Sequence, residues 1–222
     1  FALWGSKMPE IEKIGHASMK IKVEGKNIYV DPFCTDSLPE KVKEFYDRAE
    51  KADILLITHG HHDHCDPSTF QKLLKEDTEI AAPEVCSDKI DEGFTTVNPG
   101  DVIELKGITI RVVPAYNQKR KRESGEPFHP KGDGVGYVIR AEEKNIYHPG
   151  DTEYIPEMEE LGEVHTAFLP IDGTYTMDID EAVEAAKTIR PTIVVPIHER
   201  DADPNEFKNK LEKEIDIEVK LM

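Results

Sequence analysis

Ile54-Leu55-Leu56-Ile57-Thr58-His59-Gly60-His61-His62-Asp63-His64 is the stretch that decides how this chain is read. The first four residues form an unbroken apolar run, the pattern of a short strand buried on both faces. Directly behind it come four imidazoles and a carboxylate. A sheet that ends in such a loop is suited to divalent ions, because imidazole and carboxylate donors match borderline metals. Two neighbouring ions can activate a water molecule. The reaction class is therefore written in this loop, and the substrate is not.

Outward from the loop, Met19, Ile21 and Val23 alternate with polar residues, and Ile28-Tyr29-Val30 follows a turn around Glu24-Gly25-Lys26-Asn27. A helix is expected over 39–51, with Val42, Phe45 and Ala49 as its apolar stripe. Asp66-Pro67 reads as a helix cap followed by proline at the first helical position. Strands are expected at 95–97, 102–105, 108–113, 135–139, 145–147, 166–169, 192–196 and 215–219, and helices over 180–189 and 204–214. Asp178 or Asp180 is expected to cap the first of these helices. Helices that return after groups of strands favour two sheets covered by helices on their outer faces. The stretch 118–131 holds Lys119-Arg120-Lys121-Arg122 and reads as an exposed loop, with an ordered lid as the alternative.

The chain has 222 residues, enough for one domain with a sizeable core, and one domain over 1–222 is expected. Residues 1–6 read as a native terminal arm or a vector-derived remnant. With 28 basic and 45 acidic residues the net charge is −17, which disfavours long nucleic acid as a partner but not a small anion at a local positive patch. Cys34, Cys65 and Cys86 form no disulfide framework, so a reducing, cytoplasmic setting is the simpler expectation. No apolar run is long enough to cross a bilayer, so no membrane partner is expected. A homo-oligomer is left open.

Further motifs recur in order: Gly15-His16-Ala17, Val30-Asp31-Pro32, the histidine loop, Pro114-Ala115-Tyr116-Asn117, Gly134-Val135-Gly136-Tyr137, Tyr147-His148-Pro149-Gly150-Asp151-Thr152, Gly173-Thr174-Tyr175-Thr176-Met177 and Val195-Pro196-Ile197-His198. With them the chain resembles the metallo-β-lactamase-fold hydrolase superfamily. Within it, the chain looks like the small stand-alone branch of metal-dependent hydrolases related to ascorbate-6-phosphate lactonases. The resemblance implies a four-layer αββα sandwich with two divalent metal ions at one end of its facing sheets. Zinc is the expected metal, with manganese or iron as alternatives.

Carried over, the resemblance places His59 and His61 on one ion and Asp63 and His64 on the other, with Asp151 bridging and His198 completing the second set. Many members carry a histidine where this chain has Tyr116-Asn117; His129 is expected to replace it if the loop folds back. His62 is expected to point away or to support a ligand. His16, Asp31 and His148 are candidates for supporting the ligands or lining the cleft, and a turn cap or a backbone hydrogen bond is the bland alternative for each. Tyr116, Asn117 and Tyr175 are candidates for facing the substrate, against packing and loop capping. Cys65 is expected to pack, and His165 to sit at a strand edge.

These readings converge on an enzyme that hydrolyses a small polar ester, lactone or phosphoester, with Asp63 and Asp151 as the catalytic carboxylates and a hydroxide of the dinuclear centre as nucleophile. Hydrolysis of cyclic or linear phosphodiesters is the alternative within enzymology. A catalytically inactive, metal-stabilised ligand-binding protein is the alternative outside it. A metallo-oxidase ranks lower, because no electron-transfer domain is recognisable.

Overall fold

The computed structural model describes residues 9–91 and 93–222, so the expectation for residues 1–6 lies outside the described residues. Six strands form one sheet in chain order: β1 (Glu10–Gly15), β2 (Ser18–Val23), β3 (Lys26–Val30), β4 (Ile54–Leu56), β5 (Glu79–Ala82) and β6 (Thr95–Thr96). A second sheet holds β7 (Val102–Leu105), β8 (Ile108–Ala115), β9 (Gly134–Ala141), β10 (Lys144–His148), β11 (Thr166–Pro170), β12 (Ile193–Ile197) and β13 (Glu218–Val219), also in chain order. Both sheets follow one plan. Each opens with antiparallel strands, β1 to β3 or β7 to β10, and continues with parallel ones. The parallel steps need crossovers, which the helices supply.

Helices α1 (Glu40–Arg48) and α2 (Pro67–Leu73) cover the first sheet, and α3 (Ile179–Ile189) and α4 (Pro204–Glu214) the second. The result is the αββα metallo-β-lactamase sandwich. Successive side chains of a strand point to opposite faces, and this explains the unbroken apolar run. Ile54 and Leu56 enter the core between the sheets, while Leu55 and Ile57 pack on the helical side with Phe70 and Leu73. In β12, Val195 and Ile197 face the first sheet, and Val194 faces the helices with Phe207 and Leu211.

The expected helix over 39–51 ends at Arg48, because Ala49 is extended, and its buried pair is Val42 and Tyr46. Tyr46 lies four residues beyond Val42 on the same face, and its hydroxyl accepts from the Phe33 N–H. The terminal strand shortens from 215–219 to β13, because Ile215 closes α4 by donating its N–H to the Leu211 carbonyl. Asp66 caps α2 with Pro67 in the first turn, as expected, and Asp178 rather than Asp180 caps α3 in a capping box with Glu181. Among the described residues no helix is long and apolar enough to cross a membrane.

Polar bonds tie the two sheets together at one end. The Val135 N–H donates to the Thr58 carbonyl at 2.9 Å, the Tyr137 hydroxyl to the Ile57 carbonyl at 2.7 Å, and the His198 N–H to the His16 carbonyl at 3.1 Å. His148 Nε2 lies 2.8 Å from the Ala17 carbonyl oxygen. Gly150 sits in this seam with φ +65°, where a Cβ would lie 2.7 Å from the Val135 carbonyl oxygen and 3.0 Å from the Thr58 Cβ. Gly162, at φ +69°, has open space around it. Gly162→Ala is therefore expected to cost about 1–2 kcal/mol of left-handed backbone strain. Gly150→Ala should cost roughly 1–3 kcal/mol more from overpacking. Denaturant midpoints of the two variants check this, and equal losses would contradict the seam.

Candidate metal centre

The residues singled out by the sequence, and Asp172 with them, gather where parallel strands end. Asp31 follows β3, the histidine loop follows β4, Asp151 follows β10, Asp172 follows β11 and His198 follows β12. Asp31 is fully buried and fixes the start of the loop. Its Oδ1 accepts from the Thr58 N–H at 2.8 Å, and its Oδ2 accepts from the Thr58 hydroxyl at 2.6 Å and lies 2.8 Å from His64 Nδ1. His16, Asp31 and His198 all have left-handed backbones, with φ of 51°, 45° and 48°. Such conformations cost roughly 1–3 kcal/mol each outside glycine and persist where surrounding bonds over-determine them.

Two groups of donor atoms result. His61 Nδ1 lies 3.0 Å from His59 Nε2 and 3.2 Å from His129 Nε2. The second group joins His16, Asp63, His64 and His198, with His16 Nε2 3.1 Å from Asp63 Oδ2. Asp151 stands between them. Its Oδ2 is 3.2 Å from His129 Nε2, 3.3 Å from His198 Nε2 and 4.0 Å from His59 Nε2, and its Oδ1 is 3.3 Å from His64 Nε2. His64 Nε2 and Asp151 Oδ1 are buried without a hydrogen bond among the described residues. Buried polar atoms are rarely left in this state. Imidazole nitrogens that converge on one another and a carboxylate reaching both groups fit two divalent cations.

The electrostatics follow from who neighbours whom. Burial pulls the His59 imidazole well below its usual range, and His64 adds to that. His61 is pushed down to about 4 by burial and by His129. Burial acts in the same direction on His64 and His198, but carboxylates outweigh it there. Asp151 and Asp31 hold His64 well above its usual range, and Asp151 with Asp172 raises His198 to about 9. Burial pushes the Asp63 carboxyl up, yet the bond to His16 and the charge of His64 hold it far below the usual range. For Asp151 burial likewise loses, to His198 and His64. Carboxylate neighbours thus raise His64 and His198, while burial and neighbouring imidazoles lower His59 and His61.

His129 reaches the centre because the 118–133 loop folds back, and Asn117 brings it there. The Asn117 N–H donates to the His129 carbonyl at 2.8 Å, and the Asn117 Oδ1 accepts from the His129 N–H at 2.8 Å and lies 2.7 Å from His129 Nδ1. Its Nδ2 donates to the Tyr175 carbonyl. Asn117 is therefore spent on orienting the His129 ring and on the Tyr175 backbone. Tyr116 is also placed elsewhere: its ring joins the core under α3 and its hydroxyl donates to the Glu157 carboxylate at 3.0 Å. Tyr175 is edge-on to Phe128, which lines the cavity. His148 is fully buried; its Nε2 faces the Ala17 carbonyl and its Nδ1 accepts from the Gly150 N–H, so it braces the seam and does not line the cleft.

His16 stands inside a donor group instead of behind it. The His62 side chain is 86 % exposed and lies 3.8 Å from Asp63 Oδ1. Cys65 is buried among apolar residues, as expected. Two carboxylates escaped the reading of the sequence. Asp172 Oδ2 lies 2.6 Å from His198 Nδ1, and Glu153 accepts from the N–H groups of Gln118, Lys119 and Arg120 at 2.6–2.8 Å. The signal for Asp172 was available, since it follows the strand Thr166–Pro170 much as Asp31 follows β3. A cavity of about 250 Å³ opens over the first donor group, with Val85, Phe128 and Asp133 in its walls beside His59, His61 and Asp151.

Comparison with known proteins agrees with this geometry. The Beta-lactamase superfamily domain matches residues 10–198. A UPF0173 metal-dependent hydrolase of Thermoplasma acidophilum is 38% identical over 206 residues, covering 87% of this chain and 87% of its own. A crystal structure from Parabacteroides distasonis superposes with a TM-score of 0.85 at 35% identity, covering 96% of this chain and 92% of its own. Igni18, a metallo hydrolase of the hyperthermophilic archaeon Ignicoccus hospitalis, superposes with a TM-score of 0.79 at 29% identity, over 96% of this chain and 94% of its own.

Among the described residues the Asp31 carboxylate bonds the Thr58 N–H and hydroxyl and faces Nδ1 of His64, so it acts on the donor groups through His64. Asp31→Asn is expected to weaken zinc uptake roughly 10–100-fold, the usual loss when a partner behind a metal ligand is removed. Calorimetric zinc titration beside far-UV circular dichroism checks this. Unchanged affinity in a folded variant would contradict it.

Proposed function

The chain belongs to the UPF0173 family of metal-dependent hydrolases in the beta-lactamase superfamily, and from that premise we propose that it hydrolyses a small polar ester, lactone or phosphoester at a two-metal site. The observation that carries the proposal is the placement of Asp151, whose two oxygens reach donor atoms of both groups. We assign His59, His61, His129 and Asp151 to one ion, and Asp63, His64, Asp151 and His198 to the other. His16 lies against the second set through Asp63. Zinc is the proposed metal on the strength of the imidazole-rich donors, with manganese and iron as alternatives. A lactone substrate would match the finer likeness to ascorbate-6-phosphate lactonases.

When bound, the two ions supply Lewis acidity and a water acidic enough to attack at neutral pH. The residues of the chain do the rest. Asp151 sets the separation of the two sites, and Asp31 and Asp172 hold the rings of His64 and His198 from behind. Asp63 is proposed to orient the attacking water as well as to hold an ion, a role that suits a carboxylate kept ionised by His16 and His64. Its Oδ2 is occupied by His16, while its Oδ1 faces His62 Nδ1 at 3.8 Å, beside solvent. Val85 and Phe128 give the cavity an apolar wall that limits water around the reacting bond.

Protein loaded with zinc should show two adjacent ions by metal analysis and anomalous scattering. A single ion remote from His59 and His61 would overturn the assignment. Asp151→Asn keeps the shape of the bridge and loses its charge. It is expected to lower metal content and to reduce turnover of ester, lactone or phosphoester probes by at least about 100-fold. The helix and strand content should be retained. Parental metal content and turnover in this variant would sink the bridging role.

A further inference from the structure

The four consecutive basic residues Lys119-Arg120-Lys121-Arg122 do not act as one patch. Arg120 is 13% exposed and is held by the Glu153 and Glu181 carboxylates, at 3.3 and 2.7 Å. Lys119 pairs with Glu181. Lys121 takes part in a backbone bridge to Pro127 that closes the turn. Arg122 differs in what its side chain reaches. Among the described residues no carboxylate pairs with its guanidinium, although the chain carries a net charge of −17. Its Nη2 instead lies 3.4 Å from Nε2 of His61, a residue that lines the cavity.

The position of this cation is built. The Arg122 N–H donates to the Glu126 carbonyl at 2.7 Å, and the Arg122 carbonyl accepts from the Gly125 N–H at 2.9 Å. The guanidinium stacks over Phe128, 5.2 Å from the ring centroid, and Phe128 is braced edge-on by Tyr175 at 4.8 Å. Stacking on an aromatic face leaves the in-plane N–H groups free to donate.

His61 makes the acceptor vacancy specific. Its Nδ1 converges with the nitrogens of His59 and His129, so Nδ1 is the atom that would hold an ion. A neutral imidazole coordinating through Nδ1 carries its hydrogen on Nε2. A guanidinium has donors and no acceptor. In the loaded protein the nearest partner of Arg122 is therefore another donor, and the guanidinium needs an acceptor from elsewhere.

We propose that Arg122 is a specificity-determining residue, which binds an anionic oxygen of the substrate, carboxylate or phosphate, at the His61 edge of the metal cavity. The inference rests on the two-metal reading above. Asp133 in the same wall disfavours a second negative group, so the preferred substrate carries its charge close to the scissile bond and not along its whole length.

The test uses the full chain loaded with zinc, its two ions verified by metal analysis, and titrated calorimetrically with inorganic phosphate at two salt concentrations. Arg122→Gln should weaken phosphate binding by at least about tenfold, the scale of one charge-assisted hydrogen bond. Arg122→Lys should recover part of the loss, and Lys121→Gln should stay within about twofold of the parent, as for an uninvolved surface position. Arg122→Gln within about twofold of the parent would overturn the proposal, as would an equal loss in Lys121→Gln, which would mark a general loop charge. Failure to take up two ions would instead overturn the two-metal reading, and the inference with it.

Discussion

The buried carboxylate of Asp31 is the point on which the site turns. One oxygen receives the Thr58 N–H, and the other faces the Thr58 hydroxyl and His64 Nδ1. These contacts convert the end of β4 into a loop of fixed course, and they aim His64 Nε2 at Asp151. A carboxylate with no exposed surface is tolerable only if its charge is matched and its lone pairs are used. Here the demand is met by the group it positions. The left-handed backbone of Asp31 is part of the same arrangement, because strain of this kind survives only where neighbouring bonds leave no alternative.

The repeated plan of the sheets explains why the other ligands arrive at the same place. Each half begins as an antiparallel meander and ends in parallel steps through helices, so its parallel strands finish at a common edge. Pairing the two sheets face to face brings both edges together, and the polar seam of Val135, Tyr137, His148 and His198 holds them there. The two donor groups draw on both sheets: His59, His61, Asp63 and His64 follow β4, and Asp151 and His198 follow strands of the second sheet. Packing of the sheets and assembly of the centre are one event. A buried set of carboxylates and imidazoles then has its charge balanced by protons, or by ions that replace them.

The 118–133 loop adds what strand ends cannot. Glu153 gathers three consecutive N–H groups at its start and Asn117 pins its return, so a segment rich in charge becomes a fixed wall bearing His129 and Phe128, with Arg122 beside His61. Rigidity here comes from carboxylate and amide side chains capping the backbone, not from apolar burial. This is why the wall can stay partly exposed and still hold its geometry.

Much of this was legible in the chain itself. Ile54 to Ile57 announced a strand buried on both faces, the histidines behind it announced a metal loop, and Asp66-Pro67 and the residues around Asp178 announced helix starts. Such signals are local: side-chain period, cap chemistry and ligand density act over a few residues, so sequence alone carries them. Only the tertiary structure decided the relations across long separations. It set His16 against Asp63 and put Asp172 behind His198. It turned Tyr116 into the core and Asn117 onto His129, and it split the basic cluster into Arg120 held by carboxylates and Arg122 beside His61. Each of these depends on which strand ends the packed sheets bring within hydrogen-bonding distance, and that distance exists only once both sheets have closed on a common core.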